Sequence, residues 1–207
     1  MLIYDIEIKK AICGKNEKPL EGVEYCAGWH DHANMGISCI GAYDYQEDRY
    51  RVFMGDNLKA FEALVAASRG PIVSFNGLAF DNRVCAQNEI DVPDAKSYDV
   101  LVELWRGAGL GPKFDYPSHI GFGLDAACQA NFGIGKTGNG ALAPVLFQRG
   151  QFGELIDYCL TDVHRTKKLL DRIIHQGDLV DPRDRNRSLL IRRPADWAKT
   201  LLNEVAA

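Results

Sequence analysis

The stretch Leu2-Ile3-Tyr4-Asp5-Ile6-Glu7-Ile8 constrains this chain more than any other. Apolar and aromatic residues carry two acids into a run whose composition suits a short central strand. Strand side chains alternate between faces, so Asp5 and Glu7 project together. Neighbouring carboxylates each resist ionising, and a divalent cation or a protonated partner relieves the repulsion. A solvated edge strand is the alternative. The rest of the chain decides between the two by supplying further ligands or failing to.

With 207 residues, 46% of them hydrophobic, the chain can build one domain with a substantial core. A net charge of −4 gives no general attraction to polyanions, so nucleic acid contact has to come from local basic patches or bound metal. The six cysteines, Cys13, Cys26, Cys39, Cys85, Cys128 and Cys159, lie mostly inside apolar segments. No secretory leader pattern precedes the first strand, so they read as reduced thiols of a cytoplasmic protein. No apolar run approaches the ~20 residues of a membrane span, and no membrane partner is expected.

From Lys9 to Gly36 the chain is polar and contains glycine, too long for a hairpin turn, so it reads as an insertion loop or a small excursion. Its Cys13, Cys26, His30 and His32 admit a zinc reading, although the close cysteine pair of most structural zinc sites is missing. The plainer expectation is a surface loop whose Trp29 packs back onto the domain. Ile37 to Tyr45 and Arg49 to Phe53 read as an antiparallel hairpin around Gln46-Glu47-Asp48. Asp56 or Asn57 then caps a helix through Leu58, Phe61, Leu64 and Val65, which Gly70-Pro71 ends.

Pro71 to Phe75 reads as a short buried strand. Asn76-Gly77 turns out of it into a helix carrying Asp81 in its first turn, at the kind of strand end where α/β sheets place their chemistry. An acid favoured by the helix dipole is the alternative for Asp81. Tyr98 to Trp105 reads as a helix and Gly107 to Gly123 as a Gly/Pro-rich crossing. Leu124 to Phe132 is a second helix, ended by Gly133. The longest periodic helix runs from Glu154 to Ile174 and places Tyr158 and Asp162 on one face.

Ala130-x4-Gly135-Lys136-Thr137 fits a loose phosphate-binding loop, but such a loop follows a buried strand, and here a helical pattern precedes it. Residues 181 to 193 hold five Arg against two Asp. They read as a basic tail able to touch phosphates or as a solvated linker to a helix from Asp196 to Val205.

Taken in order, Asp5-x-Glu7 on a first strand, Asn76-x3-Phe80-Asp81 at a strand-to-helix exit, and Tyr158-x3-Asp162 on a late helix resemble the three motifs of the DEDD superfamily of 3′ to 5′ exonucleases. The third motif matches the tyrosine type, and His164 reads as an ordinary helix residue. The sequence departs from the family pattern at Ile8, where a Thr or small residue is common, and in the Lys9 to Gly36 insertion.

The resemblance covers residues 1 to about 175 and implies an α/β, RNase H-like mixed sheet flanked by helices, with residues 176 to 207 as a docked basic tail. It implies that Asp5, Glu7, Asp81 and Asp162 hold two Mg²⁺ or Mn²⁺ ions. Tyr158 would orient the attacking water, and Asn76 and Phe80 would contact a terminal nucleotide. Phe80 as an ordinary core side chain stays open. The partner implied is DNA or RNA with a free 3′ end, with a polymerase or helicase as a possible associate.

The chemistry suits the ligand set independently. Hydrolysing a phosphodiester requires an activated water and a stabilised leaving oxygen, which two divalent ions about 3.5–4 Å apart supply. Oxygen-only ligands favour Mg²⁺ or Mn²⁺ over zinc. Two other function classes remain open: a nuclease-like module that binds without cutting, and a phosphate-loop NTPase centred on Lys136.

Overall fold

The computed structural model describes residues 1–14, 17–135 and 140–196. In chain order the strands and α-helices are β1 (Leu2–Ile8), β2 (Ala11–Ile12), β3 (Tyr25–Cys26), α1 (His32–Met35), β4 (Ile37–Asp44), β5 (Arg49–Phe53), α2 (Leu58–Ala67), β6 (Ile72–Ser74), α3 (Asp81–Gln87), β7 (Ser97–Asp99), α4 (Val100–Gly107), α5 (Leu124–Phe132), α6 (Ala143–Gln148), α7 (Phe152–Gln176), β8 (Asp178–Asp181) and β9 (Asp184–Leu190). Five strands form a mixed sheet in the order β5-β4-β1-β6-β7. β5, β4 and β1 are antiparallel, whereas β1, β6 and β7 run parallel. The molecule is therefore α/β, with a central sheet flanked by helices.

β1 sits at the centre because both of its faces are apolar where the core needs them. Leu2, Tyr4, Ile6 and Ile8 pack with Phe61 and Val65 of α2 and Val84 and Cys85 of α3. On the opposite face Ile3 joins a cluster with Val73, Val163 and Leu170, which brings α7 over the sheet. Asp5 and Glu7 share that second face by strand alternation. Gly41 pairs with Asp5 in the β1–β4 register, and it lets α7 come close. A Cβ there would meet Cys159 Sγ at 2.9 Å and Val163 Cγ2 at 3.2 Å.

Several sequence expectations change. Ser97 to Asp99 is not the start of a helix but the edge strand β7. Its ladder to β6 is non-local, and Asp99 then caps α4 by accepting from the Leu101 and Val102 amides. The basic tail is a β-hairpin rather than a linker, because Leu179, Leu189 and Ile191 are buried in the main core while Arg183, Arg185, Arg187 and Arg193 are exposed and Arg192 pairs with buried Glu103. Of the helix expected from Asp196 to Val205, all but the first residue lies outside the described residues, as do Lys136 and Thr137 of the phosphate-loop match. What precedes that match is α5, ended by Gly133 in the left-handed conformation, and not a strand.

The Lys9 to Gly36 segment is a small excursion built on the parallel pair β2–β3 and the single turn α1. Gln148 of α6 pins it: its amide donates to the Lys9 and Glu24 carbonyls at 2.8 and 3.0 Å and accepts from the Glu24 N–H at 2.7 Å. Cys13 donates to the Glu17 carbonyl and Cys26 to that of Ala11. With His30 and His32 they do not gather into a ligand set among the described residues. Trp29 reaches back to the domain only at its surface: it is 67% exposed and meets the Phe80 ring edge-on, with ring centres 5.9 Å apart. No helix among the described residues is long and apolar enough to cross a membrane.

Candidate active site

Where β6 ends at Ser74, β1 continues without its parallel neighbour, which leaves the Ile6 N–H free to donate to Asp81 Oδ1 at 3.1 Å. That bond fixes the start of α3 against the middle of β1. The turn between β6 and α3 is tight. Asn76 adopts φ +69°, which its short polar side chain tolerates, and a Cβ at Gly77 would collide with the Ser74 hydroxyl. Buried Asp99 holds this turn from below, accepting from the Asn76 and Leu78 amides at 2.9 and 3.1 Å.

α7 brings the last two expected residues. The Tyr158 hydroxyl is a hydrogen-bond partner of the Asp162 carboxylate one turn on. Arg165, itself buried, lies 3.5 Å from Asp162 and 2.7 Å from Asp125 of α5, and it also donates to the Gly135 carbonyl. Among the described residues it is the only base in ion-pair range of Asp5, Glu7, Asp81 or Asp162.

These four carboxylates lie close enough for their charges to act on one another. Burial raises the Asp5 carboxyl well above its ordinary range, and the charges of Asp81, Glu7 and Asp162 raise it further. Glu7 is raised first by burial, then by Asp162 and Asp81. Asp81 is pushed up to about 7 by burial, against the opposing pull of the Ile6 amide. Asp162 is raised by burial and drawn back by Tyr158 and Arg165. The Tyr158 phenol is itself raised, by burial and then by Asp162, so it stays a donor at neutral pH.

Glu7 shows the imbalance most plainly. It is only 8% exposed, and its carboxylate has neither a hydrogen bond nor an ion pair among the described residues. Beside Asp162 and Asp81 such a group resists ionising, and a divalent cation relieves the repulsion. The donor set fits Mg²⁺ or Mn²⁺ in this respect: carboxylate oxygens predominate, and Arg165, the one base in range among the described residues, is already engaged. One sulfur is close as well. Ligand atoms of Asp5, Glu7 and Cys159 lie within 4.8 Å of one another.

Beside Glu7 opens a cleft of 190 Å³ whose walls include Ile8, Ile12, Trp29, Phe80 and Pro144. Phe80 is half-buried, lines this cleft and also touches His32 edge-on. Asn76 lies on the turn above, its side chain half-buried. All seven expected residues thus lie on β1 itself or on the segments packed beside its middle and C-terminal half.

Sequence reasoning missed Arg165, Asp99, Gly41, Cys159 and the cleft role of Trp29. Only Asp99 carried a local signal, an N-cap residue ahead of an apolar helical run. The others depend on contacts between distant elements. Compared with models of known protein families and with curated protein sequences, the chain matches none.

Proposed function

We propose that this protein is a divalent-metal-dependent 3′ to 5′ exonuclease of the DEDD type with an RNase H-like fold, acting on DNA or RNA that has a free 3′ end. The observation that carries the reading is the convergence of four carboxylates from positions 5, 7, 81 and 162, two of them buried and two half-buried, into one group with a single basic neighbour among the described residues. The mixed sheet flanked by helices is compatible with that fold. Asp5, Glu7, Asp81 and Asp162 would hold two Mg²⁺ or Mn²⁺ ions, which when bound supply water activation and charge stabilisation at the leaving oxygen.

The chain's own residues do the rest. Tyr158 keeps its proton and orients the attacking water by hydrogen bonding. Arg165 holds Asp162 in place through one of its guanidinium nitrogens. Asp99 sets the Asn76 to Phe80 turn from which the nucleotide is gripped. Phe80 and Trp29 offer aromatic faces to a terminal base, an interaction worth about 1–3 kcal/mol per base in single-strand binding. A cleft of 190 Å³ suits one base rather than a duplex end.

End-labelled DNA and RNA strands, incubated with and without Mg²⁺ or Mn²⁺, test the reading. A ladder shortening from the 3′ end, lost with chelator and in Asp5→Ala or Asp162→Ala, is expected, with a milder loss in Tyr158→Phe. Full trimming by Asp5→Ala ends the proposal.

A further inference from the structure

We propose that Cys159 gives the acidic site a second cation specificity: with Asp5 and Glu7 it forms a three-ligand site for a thiophilic divalent ion such as Zn²⁺, Cd²⁺ or Co²⁺, which excludes the Mg²⁺ or Mn²⁺ that the chemistry needs. The proposal rests on the nuclease reading only in taking this acidic group as the catalytic one. Its evidence is geometric. The Cys159 thiol is fully buried on α7 and lies 3.9 Å from Asp5 Oδ2. One carboxylate oxygen each of Asp5 and Glu7 and the Cys159 sulfur fall within 4.8 Å of one another.

Metal–sulfur and metal–oxygen bonds of about 2.3 and 2.1 Å, at a tetrahedral angle, place sulfur and oxygen about 3.6 Å apart. The observed 3.9 Å needs only a few tenths of an ångström of contraction. Three protein ligands leave a fourth position for water or substrate, the arrangement zinc adopts in open sites.

A second, independent observation points to a ligand here. Glu7, nine-tenths buried as a residue, lies on the same β1 face, lines the cleft and has no side-chain hydrogen bond or ion pair among the described residues. A third concerns rigidity. Gly41 lets the sulfur sit so closely against β4 that a Cβ there would meet it at 2.9 Å, and the thiol also reaches the Asp5 carbonyl at 3.6 Å.

An all-oxygen site has no use for sulfur, since Mg²⁺ takes hard oxygen ligands and near-octahedral geometry. A softer ion gains a strong thiolate bond in the same place. On binding, the Cys159 S–H bond is broken, its proton leaves to solvent and the sulfur lone pair is donated to the cation. No electron is transferred. The expected consequence is inhibition by thiophilic ions at concentrations far below those of Mg²⁺.

The test is cobalt spectroscopy on the full chain, with no nucleic acid present. Wild-type protein titrated with Co²⁺ is expected to develop a near-ultraviolet thiolate-to-cobalt charge-transfer band that is absent in Cys159→Ser and retained in Cys39→Ser. Zn²⁺ should abolish the band by displacement. The ratio of Zn²⁺ to Mn²⁺ affinity should fall at least ~100-fold in Cys159→Ser, beyond the 10–100-fold that losing a supporting partner costs.

If Cys159→Ser fails to fold, loss of the band in Asp5→Asn with Cys159 intact serves instead. No band in wild type, or a band that survives in Cys159→Ser or follows Cys39, overturns the proposal. A Cys159-dependent band in a protein that trims no strand supports it while ending the nuclease reading. Trimming without a band does the reverse.

Discussion

Replacing Asp81 by Asn should stabilise the metal-free protein at neutral pH, although the position belongs to the proposed active site. Asp81 is buried, and its carboxyl is pushed from 3.8 up to about 7, chiefly by burial. Between those values the folded chain keeps a proton that the unfolded chain has released. Stability therefore falls as pH rises from about 4, and the loss is complete above about 7. At ~1.4 kcal/mol per unit, the rise amounts to about 4 kcal/mol.

An Asn side chain cannot titrate, and its carbonyl oxygen can still accept from the Ile6 N–H that Asp81 accepts now. Urea unfolding in chelator should make Asp81→Asn more stable than wild type above neutrality by up to about 4 kcal/mol, roughly 8–16 °C in Tm for a chain of this size. The difference should shrink towards pH 4. Mn²⁺ should raise the wild type at neutral pH and leave the variant little changed. A wild type to variant difference that is flat with pH, or a variant less stable at neutral pH, would refute the electrostatic argument.

Other substitutions probe the framework around the acids. Gly41→Val places a branched side chain where even a Cβ meets Cys159 Sγ at 2.9 Å and Leu160 Cδ2 at 3.3 Å. Overpacking of this kind costs about 1–3 kcal/mol. It should lower the Tm and, by lifting α7 from β4, lower trimming activity more than stability alone accounts for; wild-type activity in a folded variant would contradict that. Trp29 stands 67% exposed at the cleft mouth, so a nucleoside monophosphate should quench its emission in Mn²⁺. The signal should vanish in Trp29→Phe and weaken in Phe80→Ala, and equal quenching in both variants would place the nucleotide elsewhere.

How much of this was legible in the sequence depends on the range of the contact involved. β1, α5 and α7 were readable because alternation, helical spacing and terminal glycines are local signals, and Gly133 and Gly177 end their helices in the left-handed conformation. Asp81 and Tyr158 could be placed on their helices for the same reason. β7 was misread because three residues, Ser97 to Asp99, become a strand only through pairing with β6, and their apolar continuation into α4 looks helical throughout.

The tail concealed its hairpin behind arginines, with Leu179 and Leu189 as its buried anchors. Arg165 looked like one more charged helix residue, yet it is buried where α5, α7 and the Gly135 carbonyl meet. Gly41 had no visible role until α7 lay across it. Such roles belong to the packing of remote segments, which periodicity does not encode.

The most direct test of the central claim is anomalous diffraction from crystals of the full chain soaked in Mn²⁺. Anomalous density is expected among the Asp5, Glu7, Asp81 and Asp162 carboxylates, close to the Tyr158 hydroxyl. Crystals that take up manganese only elsewhere, or show these four side chains pointing apart with no density between them, would contradict it.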